Sequence, residues 1–138
     1  MSYREMIITD YSAAYRLWES TEGMGLSSAD SEEEIVRYLQ RNPGLSQICE
    51  GENGEVAGTA LCGHDGRRGF LYHVAVSGLY RGQGIGRELV KRCLNKLREE
   101  GIAKCHLMVL GDNELGRDFW SGLGWQFRDG IALYSQDT

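Results

Sequence analysis

Apolar and polar positions alternate over short runs in the first half of this chain, with helical spacing between those runs. Tyr3 to Thr9 reads as a first strand, and Asp10 or Ser12 can cap a helix carrying Ala13, Ala14, Leu17 and Trp18. Thr21 to Asp30 is rich in Gly and Ser and has no period, which marks a loop. Ser31-Glu32-Glu33-Glu34 predicts a capping box ahead of Ile35, Val36 and Leu39, and Asn42-Pro43-Gly44 stops that helix. Leu45 to Glu50 and Glu55 to Cys62 are strands joined by Gly51-Glu52-Asn53-Gly54, whose Asn-Gly pair signals a hairpin. A turn at His64 to Gly69 leads into the strand Phe70 to Val76, completing an antiparallel meander. From Gly84 to Glu100, Ile85, Leu89, Val90, Cys93, Leu94 and Leu97 fall on one helical face, and Gly101 ends the helix. The next strand, Lys104 to Val109, follows a helix and should lie parallel to Phe70–Val76 through a right-handed crossover. Another helix starts near Asn113, and Trp125 to Arg128 with Ile131 to Tyr134 would close the sheet.

Composition narrows the classes. A chain of 138 residues is one domain's worth, 1-138, with enough length to bury a core. Its formal charge of −5 argues against a nucleic-acid surface. Met1 to Glu5 has no signal-like apolar stretch and no run could span a bilayer, so the expectation is a cytoplasmic protein without a membrane partner. Cys49, Cys62, Cys93 and Cys105 are scattered in apolar surroundings and read as buried free thiols, and neither they nor His64, His73 and His106 have metal-site spacing.

The chemistry gathers at Arg81-Gly82-Gln83-Gly84-Ile85-Gly86, after a strand and before a helix. Alternate glycines let successive N–H groups converge without Cβ atoms in the way, and the helix adds the positive end of its dipole. A phosphate is the expected guest. No Gly-Lys-Ser/Thr follows, which excludes a P-loop, and the third glycine of the dinucleotide fingerprint is missing. Arg81, Arg87, Lys91, Arg92, Lys96 and Arg98 make this segment basic within an acidic chain, which suits a phosphorylated small ligand.

Val76-Ser77-Gly78-Leu79-Tyr80-Arg81-Gly82-Gln83-Gly84-Ile85-Gly86 resembles the acetyl-CoA signature of the GCN5-related N-acetyltransferases (GNAT). Downstream, Asn113-Glu114-Leu115-Gly116-Arg117-Asp118-Phe119-Trp120-Ser121-Gly122-Leu123-Gly124-Trp125 resembles the family's Asn-x-x-Ala-x-x-Phe-Tyr-x-x-x-Gly-Phe. The likeness spans most of the chain and looks closest to a small bacterial subgroup. It implies an α/β (α+β) fold: a mixed, mostly antiparallel central sheet with a splayed parallel strand pair, flanked by about four helices. It also implies transfer of an acetyl group from acetyl-CoA to a primary amine of a small molecule or protein, with no metal. The different-class alternative is a CoA-binding regulatory module without turnover.

By the same resemblance, Val74, Ala75 and Val76 would lie along the pantetheine arm, with the backbone of Val74 and Val76 pairing to it. Amides from Gly82, Gln83, Gly84, Ile85, Gly86 and Arg87 would hold the pyrophosphate beside Arg81. Asn113, also an ordinary N-cap, would contact the pantetheine, and Trp120 would stand near the thiol. The loop between the first two helices would cover the acceptor side, so Trp18, Met24 and Leu26 are either substrate contacts or core. Trp120 replaces the family's proton-donating tyrosine, and indole N–H is far too weak an acid for that task. Phe70 occupies a position where some relatives carry glutamate, leaving Tyr72, His73 and solvent as bases. Tyr72 and His73 face opposite sides unless a bulge intervenes. Tyr134 is a candidate donor if the last strand turns toward the cleft. That strand's apolar edge is also open to pairing with a second copy as a homodimer.

Overall fold

Arg4 decides where the first strand stops. Its Nη1 and Nη2 donate to Asp10 Oδ2 and Oδ1, each at 2.8 Å, and Ile7 N donates to the same carboxylate at 2.9 Å. The carboxylate thereby closes a turn, so strand β1 spans Ser2–Glu5 rather than reaching Thr9, and a short 3-10 turn at Ile8–Asp10 follows. Asp10 still stands at the N-cap of helix α1, Tyr11–Glu19, but its side chain makes no cap hydrogen bond because it is spent on Arg4. Arg4 also pairs through Nε with Glu50, tying β1 to its neighbour.

The structure is a computed structural model and describes residues 1–138. The chain forms two compact units, Met1–Met108 and Val109–Thr138. In the first, helix α2 is Glu32–Arg41, strand β2 Gln47–Glu50, β3 Val56–His64, β4 Gly69–Val76, helix α3 Ile85–Glu99 and strand β5 Cys105–His106. The sheet order is β1-β2-β3-β4-β5, antiparallel throughout except for the parallel β4–β5 pair at the end. At α2, Ser31 Oγ accepts from Glu34 N at 3.3 Å, but the reciprocal half of the expected capping box is absent. The Ser31 amide already donates to Ser28 O, and the Glu34 carboxylate takes Arg37 instead.

The two faces of the sheet carry different layers. On one, Met6, Ala14, Trp18, Ile35, Ile48, Leu61 and Ala75 form the core beneath α1 and α2, with Met24 and Leu26 of the connecting loop packed against it. On the other lies α3. A Cβ at Gly58 would stand 2.9 Å from Ile85 Cγ2 and 3.0 Å from Leu89 Cδ1, and one at Gly69 would stand 2.6 Å from Leu97 Cδ1. At both positions the helix's own side chains occupy the space that a Cβ would take. Cys49, Cys62 and Cys93 are buried and Cys105 half-buried, all as free thiols. No helix is long and apolar enough to cross a membrane.

The second unit contains helix α4, Glu114–Gly122. Two expectations fail at this end of the chain. The strand foreseen over Lys104 to Val109 shrinks to Cys105–His106, and neither Trp125–Arg128 nor Ile131–Tyr134 is a strand. A turn does form, with Ile131 N donating to Arg128 O at 3.3 Å, but no ladder follows it. Alternation of apolar residues specifies a strand only where an edge accepts it, and an isolated hairpin is marginal in water. The strand edge on which a homodimer was expected is therefore not present.

The Arg4–Asp10 pair gives a pH-dependent prediction. Burial alone would raise the Asp10 pKa, but the Arg4 hydrogen bonds and the Ile7 amide outweigh it and hold the carboxyl below its ordinary 3.8. A depressed carboxyl pKa adds stability that is present above the ordinary value and is lost as pH falls through the folded one. Arg4→Met is expected to cost about 1 kcal/mol at neutral pH, a figure discounted for the exposed Arg4, and the deficit should vanish in strong acid. Urea unfolding of both proteins across that range checks it.

Candidate functional site

Strand β4 is paired along one side and largely bare along the other. Its ladder with β5 consists of Gly69 opposite Cys105 and Phe70 opposite His106, and ends there although β4 runs on to Val76. Ser77 N donates to Ala57 O at 2.8 Å on the β3 side, so strand alternation turns the N–H and C=O of Val76, and of Val74, toward the bare edge. Arg81 Nε reaches the Val76 carbonyl at 3.3 Å.

A bulge interrupts the other side. Leu61 pairs with Tyr72 and Thr59 with Ala75, so His73 and Val74 together oppose the single Ala60. His73 carries the only positive φ of any non-glycine residue, 47°. The bulge removes the opposition between Tyr72 and His73, since both lie on the α1–α2 face. Tyr72 packs edge-on against Tyr38 at 6.4 Å, and the His73 ring lies 4.7 Å from the Trp18 ring. Burial raises the Tyr72 pKa, which keeps the phenol protonated and able to donate near neutral pH.

Two residues missed in the sequence, Thr59 and Asp30, hold His73. Thr59 Oγ1 donates to His73 O at 2.8 Å and accepts from Trp18 Nε1 at 2.9 Å, with Thr59 and Trp18 fully buried and His73 partly so. Trp18 is thus core rather than a substrate contact. Asp30 Oδ1 stands 2.6 Å from His73 Nε2, with side-chain exposures of 10% and 12%. Asp30 Oδ2 accepts from Ser27 N at 3.0 Å, and Tyr11 Oη donates to Asp30 O at 2.6 Å. The one available signal was Ser27-Ser28-Ala29-Asp30, whose ends cap each other around a 3-10 turn at Ser28–Asp30.

At the end of β4 the chain makes a 3-10 turn, Gly78–Tyr80, with Ser77 as its cap, and then enters the glycine segment. Tyr80 Oη donates to Glu55 Oε1 at 2.8 Å, fixing this turn to the β2–β3 hairpin. Gly82 and Gly84 have φ of 79° and 78°, and a Cβ at either would point into open space. Gly84 is the N-cap of α3. No amide from Gly82 through Arg87 donates to a protein acceptor; the first bonded one is Glu88 N, to Gly84 O at 3.0 Å. Six donors and a helix dipole thus remain available to an anion. Arg92 is engaged by Glu88 at 2.8 Å, whereas Arg87 has no side-chain partner.

In the second unit, Asn113 Oδ1 accepts from Gly116 N at 3.0 Å and caps α4. Phe119, Trp120 and Trp125 form an aromatic group, with Trp120 4.9 Å from Phe119 and 5.0 Å from Trp125. Tyr134 is 91% exposed in a segment without regular structure.

The Acetyltransferase (GNAT) family profile matches residues 6–125. An acetyltransferase of Pectobacterium atrosepticum is 36% identical over 124 residues, covering 90% of this chain and 86% of that protein. Ard1 of Thermoplasma volcanium has the same fold, with TM-score 0.78 at 20% identity over 89% of this chain and 80% of its own. So has the PaiA N-acetyltransferase of Thermoplasma acidophilum, solved with coenzyme A, with TM-score 0.78 at 18% identity over 93% of this chain and 91% of its own.

Thr59 generates the prediction here. Thr59→Val keeps the shape but leaves the Trp18 N–H and the His73 carbonyl unmet, an expected loss of about 1–3 kcal/mol. Thr59→Ser should recover most of it. Urea unfolding of the three proteins reads this out.

Proposed function

Because this chain belongs to the Acetyltransferase (GNAT) family, we propose that it acetylates a primary amine, of a small molecule or a protein, by direct attack on acetyl-CoA. It does so as one domain over its 138 residues, in the cytoplasm, where four unpaired thiols suit a reducing compartment. The observation that carries the reading is the run of six acceptor-free amides, Gly82 to Arg87, at the end of a strand whose far edge is bare. Unpaired N–H donors at a helix N-terminus fit a diphosphate, and a bare strand edge fits an extended chain with amide groups of its own.

Acetyl-CoA supplies an activated acyl group on a thiol that leaves readily. The protein's residues bind and orient. Amides of Gly82, Gln83, Gly84, Ile85, Gly86 and Arg87 hold the pyrophosphate, with Arg81 and Arg87 adding charge. The backbone of Val74 and Val76, flanking the buried Ala75, lines up the pantetheine. Asn113 and Trp120 take their roles from their places in the second family motif. The amine attacks only when neutral, so a side chain facing it takes a proton. Tyr72 and His73 are on one face of β4, and Tyr134 belongs to the second unit. No side-chain nucleophile is required. Free thiol released from acetyl-CoA, measured with and without a panel of amines, tests the reading; no release with any amine overturns it.

Two substitutions probe the parts. Gly84→Glu places a carboxylate where the phosphates bind and should abolish CoA binding by calorimetry. Gly84→Asn, which tolerates positive φ, should fold and bind more weakly than wild type. Trp120→Phe should change the turnover number by less than roughly tenfold, below a general acid's contribution, because a thiol of pKa about 8 to 9 departs without a strong acid. A pH profile of turnover for wild type and Trp120→Phe checks it.

A further inference from the structure

We propose that His73 is the base that accepts the amine proton, and that Asp30 is the residue that positions it, fixing the imidazole in the tautomer with Nδ1 bare. This rests on the acetyl-transfer reading and deepens it. A carboxylate oxygen only accepts, so the 2.6 Å contact between Asp30 Oδ1 and His73 Nε2 puts the ring hydrogen on Nε2. The lone pair of the neutral ring then resides on Nδ1, the one polar atom of this side chain with no protein partner.

The ring and its backbone are held from other sides as well. Trp18 lies against it at 4.7 Å, and Thr59 holds its carbonyl at 2.8 Å. Asp30 is itself immobilised through Ser27 N and Tyr11 Oη. The backbone holds a φ of 47° at this non-glycine residue, a conformation that the packing on either side of the bulge maintains. The bulge that carries His73 also lies on the stretch of β4 beyond the last β5 pair, beside the bare edge. Tyr72, one residue earlier, carries a phenol whose ordinary pKa of 10.0 already keeps it protonated near neutral pH and which partial burial raises further, leaving it a donor.

In the step assigned, the amine nitrogen bonds to the acetyl carbonyl carbon, the carbon–sulfur bond breaks and the electron pair leaves with the thiolate. The amine proton passes to Nδ1, giving an imidazolium whose charge faces Asp30. That proton is then released to the thiolate or to solvent, and the ring returns to its starting tautomer.

The test uses the full chain, acetyl-CoA and one amine that wild type acetylates. His73→Asn tolerates the positive φ and keeps the bulge. It should lower kcat by about 10²- to 10⁴-fold with calorimetric CoA affinity within twofold of wild type. His73→Gly should be slow and should regain turnover on adding imidazole. Asp30→Asn should lower kcat at least tenfold with KM for acetyl-CoA unchanged. Nitrogen-15 NMR of the imidazole should report hydrogen on Nε2 in wild type and a mixture of tautomers in Asp30→Asn. Wild-type turnover in a folded His73→Asn, or hydrogen on Nδ1 in wild type, overturns the dyad and leaves acetyl transfer standing. Absence of thiol release by wild type with every amine overturns both.

Discussion

His73 and Val74 share one partner on β3, and most of what distinguishes β4 descends from that mismatch. Strict alternation from Leu71, which pairs with Cys62, would set His73 and Ala75 on the α3 side. The extra residue moves both to the other face. Ala75 joins Trp18 and Leu61 in the core, and His73 meets Asp30. A one-residue slip is costly wherever one face is buried, so the positive φ at His73 persists because the core on either side fixes the strand.

The architecture was legible in the sequence where local chemistry decides it. The Asn-Gly turn, the helical stripe from Ile85 to Leu97 and the glycine segment each specify their own conformation, and they form as expected. The features that escaped are those set by a partner distant in sequence. Thr9 reads as strand until Arg4 captures Asp10. Nothing near Tyr72 announces the bulge, because it is a register shift against β3. Asp30 closes what reads as a shapeless loop, and its meeting with His73 spans 43 residues. The apolar residues around Phe127 and from Ile131 to Tyr134 read as strands, yet neither segment forms one.

Gly116 illustrates how a local penalty changes meaning in context. Read along the helix, a glycine there costs about 1 kcal/mol relative to alanine. In the fold, a Cβ at this position would stand 2.6 Å from Asn113 Nδ2, against the very side chain that accepts the Gly116 amide. The glycine makes room for the cap, and the cap offsets much of the glycine's cost.

The two glycine contacts beneath α3 bear on how a ligand would be received. Gly58 meets the first turns of that helix and Gly69 meets its last, so both ends are seated directly on the sheet backbone. The donors at its N-terminus are therefore aimed before any anion arrives. An anion bound there would meet a helix already seated, so the entropy cost of its association would fall on the flexible ligand and the heat-capacity change on dehydrated surface.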